Sequence, residues 1–248
     1  MVLGIDIGNS TIAFGFSKGE KVVRTVKLEH EPQSKLFRPK LWNFLESVAS
    51  CEKIERVVIC SVVPSSTKVL ARKVRRILGI GAEVVGEDIV VPIVNKYKSP
   101  RQVGQDRLLC AFAAREIYGA PVIVIDLGTA ITFDAVSKKG EYLGGAIIPG
   151  LRLSAEALFQ KTELLPRTRI AEPKKVIGRS TEESIQSGLF YGYGALCDGM
   201  ISRLTSSLPG REKVVMTGGY AEILRKYTIH PVTAVDQDLI FQGMALLC

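Results

Sequence analysis

Hydrophobic and polar positions along the chain alternate with two different periods, and the changes of period mark the elements. "LGIDIGNSTIAFGF" (Leu3 to Phe16) reads as an apolar strand, a turn and a second apolar strand. "KVVRTVKL" (Lys21 to Leu28) predicts a third strand, and "LWNFLESVA" (Leu41 to Ala49), after Pro39, has the period of a helix. "RVVICSVV" (Arg56 to Val63) is rich in β-branched residues and bounded by Pro64, which suits a buried strand. Ser65 and Ser66 are candidate caps for the helix that follows. "AEVVG" and "IVVPIV" predict short strands. The polar segment "NKYKSPRQ" (Asn95 to Gln102) then leads into "VGQDRLLCAFAAREIYG", a helix that ends at Gly119.

The pattern then starts again. "PVIVIDLGTAITFDAV" (Pro121 to Val136) repeats the opening strand, Asp-x-Gly, hydroxyl residue and second strand, and "KGEYLGGAIIPG" (Lys139 to Gly150) supplies a third. Helical patterns run over about Leu151–Gln160 and Thr181–Ser206, joined by the Pro-containing connector "LLPRTRIAEPKKVIGRS". "KVVMTGG" (Lys213 to Gly219), a short helix, the strand "TAVD" and a final helix complete the chain. Asp6 and Asp126 are separated by nearly half of the 248 residues. A duplicated β-β-β-α-β-α unit accounts for this, with expected lobes at 1–119 and 120–248.

The two Asp-x-Gly turns carry the candidate chemistry. Asp6 occupies a strand position where Ile or Val would pack better. A glycine at a turn lets backbone N–H groups approach a ligand, and Asn9, Ser10 and Thr11 add side-chain donors, which makes an anion cradle suited to phosphate. A carboxylate beside phosphate needs a cation between them, so Asp6 is expected to hold Mg²⁺ directly or through water. The competing reading is a plain hairpin whose Asp and Asn satisfy turn geometry. Two copies half a chain apart weigh against it, and together they suit the gripping of one polyphosphate. Gly218-Gly219, between a strand and a helix, permits close approach to a ring or ribose, or is ordinary turn chemistry. Asp106, near a helix start, is the candidate proton acceptor, with Gly104 keeping its approach open and Arg107 available to an anionic acceptor. From position alone, a first-turn acid that merely caps the helix, with Arg107 solvated, is the leading explanation of Asp106.

Composition narrows the class. The chain is 46% hydrophobic and 23% charged, ample for a globular core. No apolar run approaches the roughly 20 residues of a membrane helix, and Asp6 interrupts the first apolar run, so a soluble cytoplasmic protein is expected, with no membrane partner. Five cysteines without a C-x-x-C pair, and only His30 and His230, argue for reduced thiols and against zinc. The net charge of +8 favours anionic partners, and "ARKVRRILG" is its densest cluster. Val74, Ile77 and Leu78 share one face there, surrounded by Arg72, Lys73, Arg75 and Arg76. Without aromatic interleaving this reads as a solvated helix face, and no nucleic acid is expected.

"DIGNST", "GQDR", "DLGTAITFD", "GGAIIPG" and "TGG", in this order over nearly the whole chain, resemble type III pantothenate kinase. That family belongs to the superfamily of acetate and sugar kinases, Hsp70 and actin. The resemblance implies an α/β, actin-like ATPase fold of two ribonuclease H-like lobes. It implies transfer of the γ-phosphate of ATP to the 4′-hydroxyl of pantothenate, the first step of coenzyme A biosynthesis. It assigns Asp6, Ile7, Gly8, Asn9, Ser10, Thr11, Ile12, Ala13 and Thr129 to ATP. It makes Asp106 the proton acceptor and lines the pantothenate site with Tyr97, Gly104, Gln105, Asp106, Arg107 and Thr181. Asp126 would bind a monovalent cation, K⁺ or NH₄⁺, and the family works as a homodimer. Relatives described as accessory factors in transcriptional regulation supply the alternative, a regulatory binding protein on the same fold.

Some residues keep a structural reading beside the implied one. "STEE" looks like a capping box in which Ser180 caps and Glu183 reciprocates, so Thr181 has a local explanation. Asp134 either helps the second hairpin or lies on the surface. Gly188 and Gly192, one helical turn apart, are expected to admit a neighbouring helix or subunit.

Overall fold

The computed structural model describes residues 1–29 and 37–248, so His30 lies outside the described residues. Contacts divide the chain into two compact units. The first takes Met1–Ile93, Lys98–Ala113 and Asp238–Cys248; the second takes Val94–Tyr97 and Ala114–Gln237.

The first unit is built on a five-stranded sheet: β1 (Val2–Ile7), β2 (Thr11–Lys18), β3 (Lys21–Glu29), β4 (Arg56–Ser61) and β5 (Ala82–Val84), in the order β3-β2-β1-β4-β5. β2 runs antiparallel to both β1 and β3, whereas β4 lies parallel to β1 and to β5. Helices α1 (Phe37–Cys51) and α2 (Pro64–Leu78) make the connections around β4. Alternation along β1 decides its two faces. Leu3, Ile5 and Ile7 enter a core with Phe14, Phe16, Leu45, Leu70 and Val74. Gly4 and Gly15 are cross-strand partners and seat the last helix, α8 (Leu239–Leu246). A Cβ on Gly15 would lie 2.3 Å from Phe241 Cγ, and one on Gly4 2.7 Å from Met244 Sδ.

The second unit repeats the design. Its strands are β6 (Val122–Leu127), β7 (Ala130–Val136), β8 (Tyr142–Pro149), β9 (Lys213–Thr217) and β10 (Ala234–Val235). Their order, β10-β9-β6-β7-β8, is the first sheet's order read from the other edge. α4 (Leu151–Lys161), α5 (Thr181–Ser187) and α6 (Tyr193–Thr205) stand where the first unit has α1, and α7 (Ala221–Arg225) stands where it has α2. Ile123, Ile125, Phe133, Phe190, Ile201 and Met216 share its core. The expected two-lobed α/β fold is present, and each sheet carries a fifth strand beyond the β-β-β-α-β-α pattern. The contact units also differ from the halves 1–119 and 120–248. α8 closes the first sheet, and α3 (Gln105–Tyr118) has residues in both units.

Local departures have local causes. "IVVPIV" forms no strand; Pro92 has no N–H to give a ladder, and the region keeps only isolated bridges, Val85 to Ile89 and Asn95 to Tyr142. Ser65 and Ser66 do not cap α2, because Pro64 already starts it and Val63 takes the cap position. Ser180 does cap α5, accepting from Glu183 N at 3.2 Å, but the Glu183 carboxylate accepts from Arg179 N rather than from Ser180 N. The helical pattern after Thr181 is widened by a π-turn at Gly188–Gly192. Among the described residues, nothing outside their own helix lies within 4 Å of a Cβ built on Gly188 or Gly192. The close approach is at Gly194 instead, where a Cβ would lie 2.1 Å from Tyr227 O. Among the described residues, no helix is long and apolar enough to cross a membrane. Cys60, Cys110 and Cys197 are buried free thiols, and Cys51 and Cys248 are exposed ones.

Candidate active site

Asp6 is the half-buried residue between the buried Ile5 and Ile7 at the end of β1. The ladder closes at the Ile7–Ile12 pair, and Gly8 N then donates to Thr11 O at 2.9 Å. This leaves Asn9 exposed and Ser10 and Thr11 half-buried at the turn. Ile7, Ile12 and Ala13, by contrast, are buried, so their side chains serve the core.

A second carboxylate, Asp106 in the first turn of α3, approaches the loop that leaves β4 at the same end of the sheet. Cys60 stands beside Asp6 in register, and Val62 N donates to Ile7 O at 3.1 Å. A Cβ on Gly104 would lie 3.9 Å from the Val62 side chain and only 2.4 Å from Asp106 Oδ1. Gly104 is therefore the space that the Asp106 carboxylate uses, and Asp106 Oδ1 also accepts from Arg107 N at 2.8 Å. Burial pushes the Cys60 thiol well above its ordinary pKa, and the negative charges of Asp6 and then Asp106 push it further. One buried thiol thus senses both carboxylates. Gln105 packs over Gly86, where a Cβ would lie 2.5 Å from Gln105 Cδ.

In the second unit Asp126 holds the same half-buried position in β6 that Asp6 holds in β1. Its hairpin is one residue tighter: the ladder ends at Leu127–Ile131, and Gly128 N donates to Ala130 O at 3.1 Å. Thr129 is exposed at the turn. Two further loops close on it. Gly150 N donates to Thr129 O at 3.0 Å, and a Cβ on Gly150 would lie 2.4 Å from Gly128 O. Gly218, at φ +90°, leaves room for Asp126, whose Oδ1 would be 2.3 Å from a Cβ there. Tyr193 then fixes the turn into α4, donating to Pro149 O at 2.7 Å and bonding Ser154 Oγ at 2.6 Å.

The place of Tyr193 and Ser154 beside this turn was not legible in the sequence, and Gly150 stood out only as the end of the motif "GGAIIPG", with no role attached. Nor does sequence separation suggest that Cys60 and Val62 sit beside Asp6; a parallel strand pairing puts them there.

The remaining expected acceptor residues fall in two places within the second unit. Tyr97 packs on β8, its ring 3.1 Å from where a Gly144 Cβ would be. Thr181 is exposed and lines a groove of about 690 Å³ between α4 and α5, with Ser154, Leu158, Leu165, Ile185 and Leu189. Tyr97 is not among the groove's lining residues.

A family model for type III pantothenate kinase matches residues 2–203. The chain belongs to the type III pantothenate kinase family. A type III pantothenate kinase from Persephonella marina is 44% identical over 231 residues, covering 91% of this chain and 90% of the relative. Among solved structures, a conserved Baf family protein from Campylobacter jejuni superposes with a TM-score of 0.62 at 22% identity, over 99% of this chain and 96% of its own. A ROK family glucokinase from Streptomyces griseus, solved with glucose and AMPPNP, gives 0.55 at 14% identity, over 100% and 98%. At these identities the two structures speak for the fold alone.

Proposed function

We propose that this chain is an ATP-dependent pantothenate kinase, which phosphorylates the 4′-hydroxyl of pantothenate and opens coenzyme A biosynthesis. Membership of the family carries the substrate. The observation that carries the chemistry is that the Asp6 turn and Asp106 meet the same loop after β4: Val62 N donates to Ile7 O at 3.1 Å, and the Val62 side chain lies 3.9 Å from a Cβ on Gly104, whose space the Asp106 carboxylate uses. Phosphoryl transfer asks little covalent work of a protein; it needs positioned phosphates, neutralised charge and a proton acceptor.

The residues fit a nucleotide with its metal ion. The carboxylate, hydroxyl and amide oxygens of Asp6, Asn9, Ser10 and Thr11 are hard donors of the kind Mg²⁺ takes. In this reading Asp6 would hold Mg²⁺ by way of the phosphates, the Asp6–Ala13 turn and Thr129 would bind the phosphates, and Asp126 would hold K⁺ or NH₄⁺. The divalent ion supplies charge neutralisation on the transferring group. Asp106 accepts the proton of the 4′-hydroxyl. The freed oxygen forms the new bond to the γ-phosphorus, and the bond from that phosphorus to the β–γ bridging oxygen breaks, releasing ADP. Gly104 and Gln105 line the acceptor, Arg107 faces the pantothenate carboxylate, and Tyr97 and Thr181 make further contacts with pantothenate. The protein acts in the cytoplasm as a homodimer, and the exposed Leu153, Leu158, Phe159 and Leu164 on and just after α4 support a covered face there.

The test is direct. Purified protein with ATP and Mg²⁺ is assayed for 4′-phosphopantothenate, with and without pantothenate and with and without K⁺. Product is expected only with both substrates and more of it with K⁺. Asp106→Asn should lower kcat by about 10²–10⁴-fold without shifting the urea midpoint. No product under any donor or salt rejects the reading.

A further inference from the structure

Asp134 is a buried carboxylate outside the expected site, 1% exposed in the middle of β7. Two hydroxyls donate to it. Thr132 Oγ1 reaches Asp134 Oδ2 at 2.9 Å, and Tyr142 OH reaches Oδ1 at 2.7 Å. Thr132 is the cross-strand partner of Asp126, so one arm of this network ends beside the acid at the tip of β6.

The other arm runs the opposite way. Tyr142 is fully buried, and its main chain pairs with the segment that carries Tyr97. Tyr142 N donates to Val94 O at 2.9 Å, and Lys96 N donates to Tyr142 O at 2.9 Å. Asn95 Oδ1 then accepts from Tyr97 N at 3.0 Å, and the Tyr97 ring lies on Gly144, two residues beyond Tyr142 in β8. The short segment Val94–Tyr97 is thus tied to β8 through the main chain of Tyr142 and the Tyr97 ring on Gly144, with an ion pair from Lys96 Nζ to Glu141 Oε1 at 3.3 Å just before the strand, and Tyr142 is in turn tied to Asp134. A carboxylate accepting two hydroxyls in a buried setting holds both rotors at once, which neither an amide nor an apolar side chain does.

The geometry points to Asp134 as a positioning residue for the acceptor: through the Tyr142 hydroxyl it sets the Val94–Tyr97 segment and hence the placement of Tyr97. This rests on the pantothenate kinase reading for the identity of the acceptor, but not for the coupling itself.

Two variants and two measurements test it. Asp134→Asn keeps the shape but loses an acceptor, and Tyr142→Phe removes a single oxygen. In each, the KM for pantothenate should rise about five- to tenfold, the equivalent of one hydrogen bond, while kcat and the KM for ATP change less than about twofold. The double variant should be no worse than the poorer single one, because both act through one contact. Amide hydrogen exchange of the ligand-free protein provides a readout that needs no substrate. The Lys96 and Tyr142 amides should exchange about tenfold faster in both variants relative to the β6 amides. A lower Tm with unchanged pantothenate KM and unchanged Lys96 exchange would overturn the proposal and leave Asp134 a packing group. Should the wild-type protein make no 4′-phosphopantothenate, the exchange experiment still decides the coupling, so the two readings fail separately.

Discussion

At the scale of single residues, the site depends on what is missing beside each acid. Asp106 occupies the volume that a side chain on residue 104 would fill, since a Cβ there would stand 2.4 Å from Oδ1. Gly104→Ala should therefore push the carboxylate aside while the fold survives. Displacements of about 1 Å cost on the order of 10²-fold in rate, so kcat/KM should fall by about that much, with near-native circular dichroism. Wild-type activity in Gly104→Ala would mean that the carboxylate orientation seen here is not the working one. Cys197 gives a pH prediction. Burial pushes its thiol up to about 12 from an ordinary 9.0. The folded chain then keeps a proton that the unfolded chain releases, so this stabilisation is complete below pH 9 and is lost as pH rises towards 12. Urea titrations across that range should show stability falling, and Cys197→Ala should flatten the slope by up to about 1.4 kcal/mol per pH unit. An identical slope in the variant would refute the buried-thiol account.

At the scale of elements, the strand periods and the Asp-x-Gly turns read correctly because they are local: alternation with one interrupting acid is visible without knowing what packs above. The errors arose where a neighbour decides. Pro92 turned an apolar run into a loop, Pro64 displaced the serine caps of α2, and the close approach within the chain falls at Gly194. The Gly4–Gly15 pair was silent for the same reason. It looks like two weak strand residues until Phe241 is found lying on it. Gly15→Ala would place a methyl 2.3 Å from the Phe241 ring, and overpacking of this kind costs about 1–3 kcal/mol. Chemical denaturation should show that loss, and Gly15→Ala with Phe241→Leu should recover part of it. Full stability in Gly15→Ala alone would mean that α8 is not seated as described.

At the scale of the whole molecule, duplication explains why two acids, for which different roles are proposed, occupy equivalent strand ends. The first hairpin has an extra turn residue with polar side chains, suited to phosphate oxygens, whereas the second is tighter and is closed by Gly150 and Gly218. The proposed homodimer is a property of this scale too. Its support is the apolar groove between α4 and α5 and the exposed side chains around it. Sedimentation velocity at micromolar concentration should give a mass near twice the 27.1 kDa of one chain, and Leu158→Glu should shift the distribution towards the monomer. A single-chain mass for the unmodified protein rejects the dimer.

The sequence by itself determined the order of the strands and helices apart from the run broken by Pro92, the duplication, and the acids at the strand ends, because each is written in local periodicity and in a charge that interrupts it. Only the tertiary structure decided which residues keep those acids company. Cys60 and Val62 reach Asp6 and Gly104 through a parallel pairing, Gly150 and Gly218 close on the second hairpin, and Asp134 reaches the Val94–Tyr97 segment through Tyr142. Contacts between residues far apart in the chain leave no periodic trace, since a glycine spared for a neighbour's carboxylate looks like any other glycine until the chain has folded.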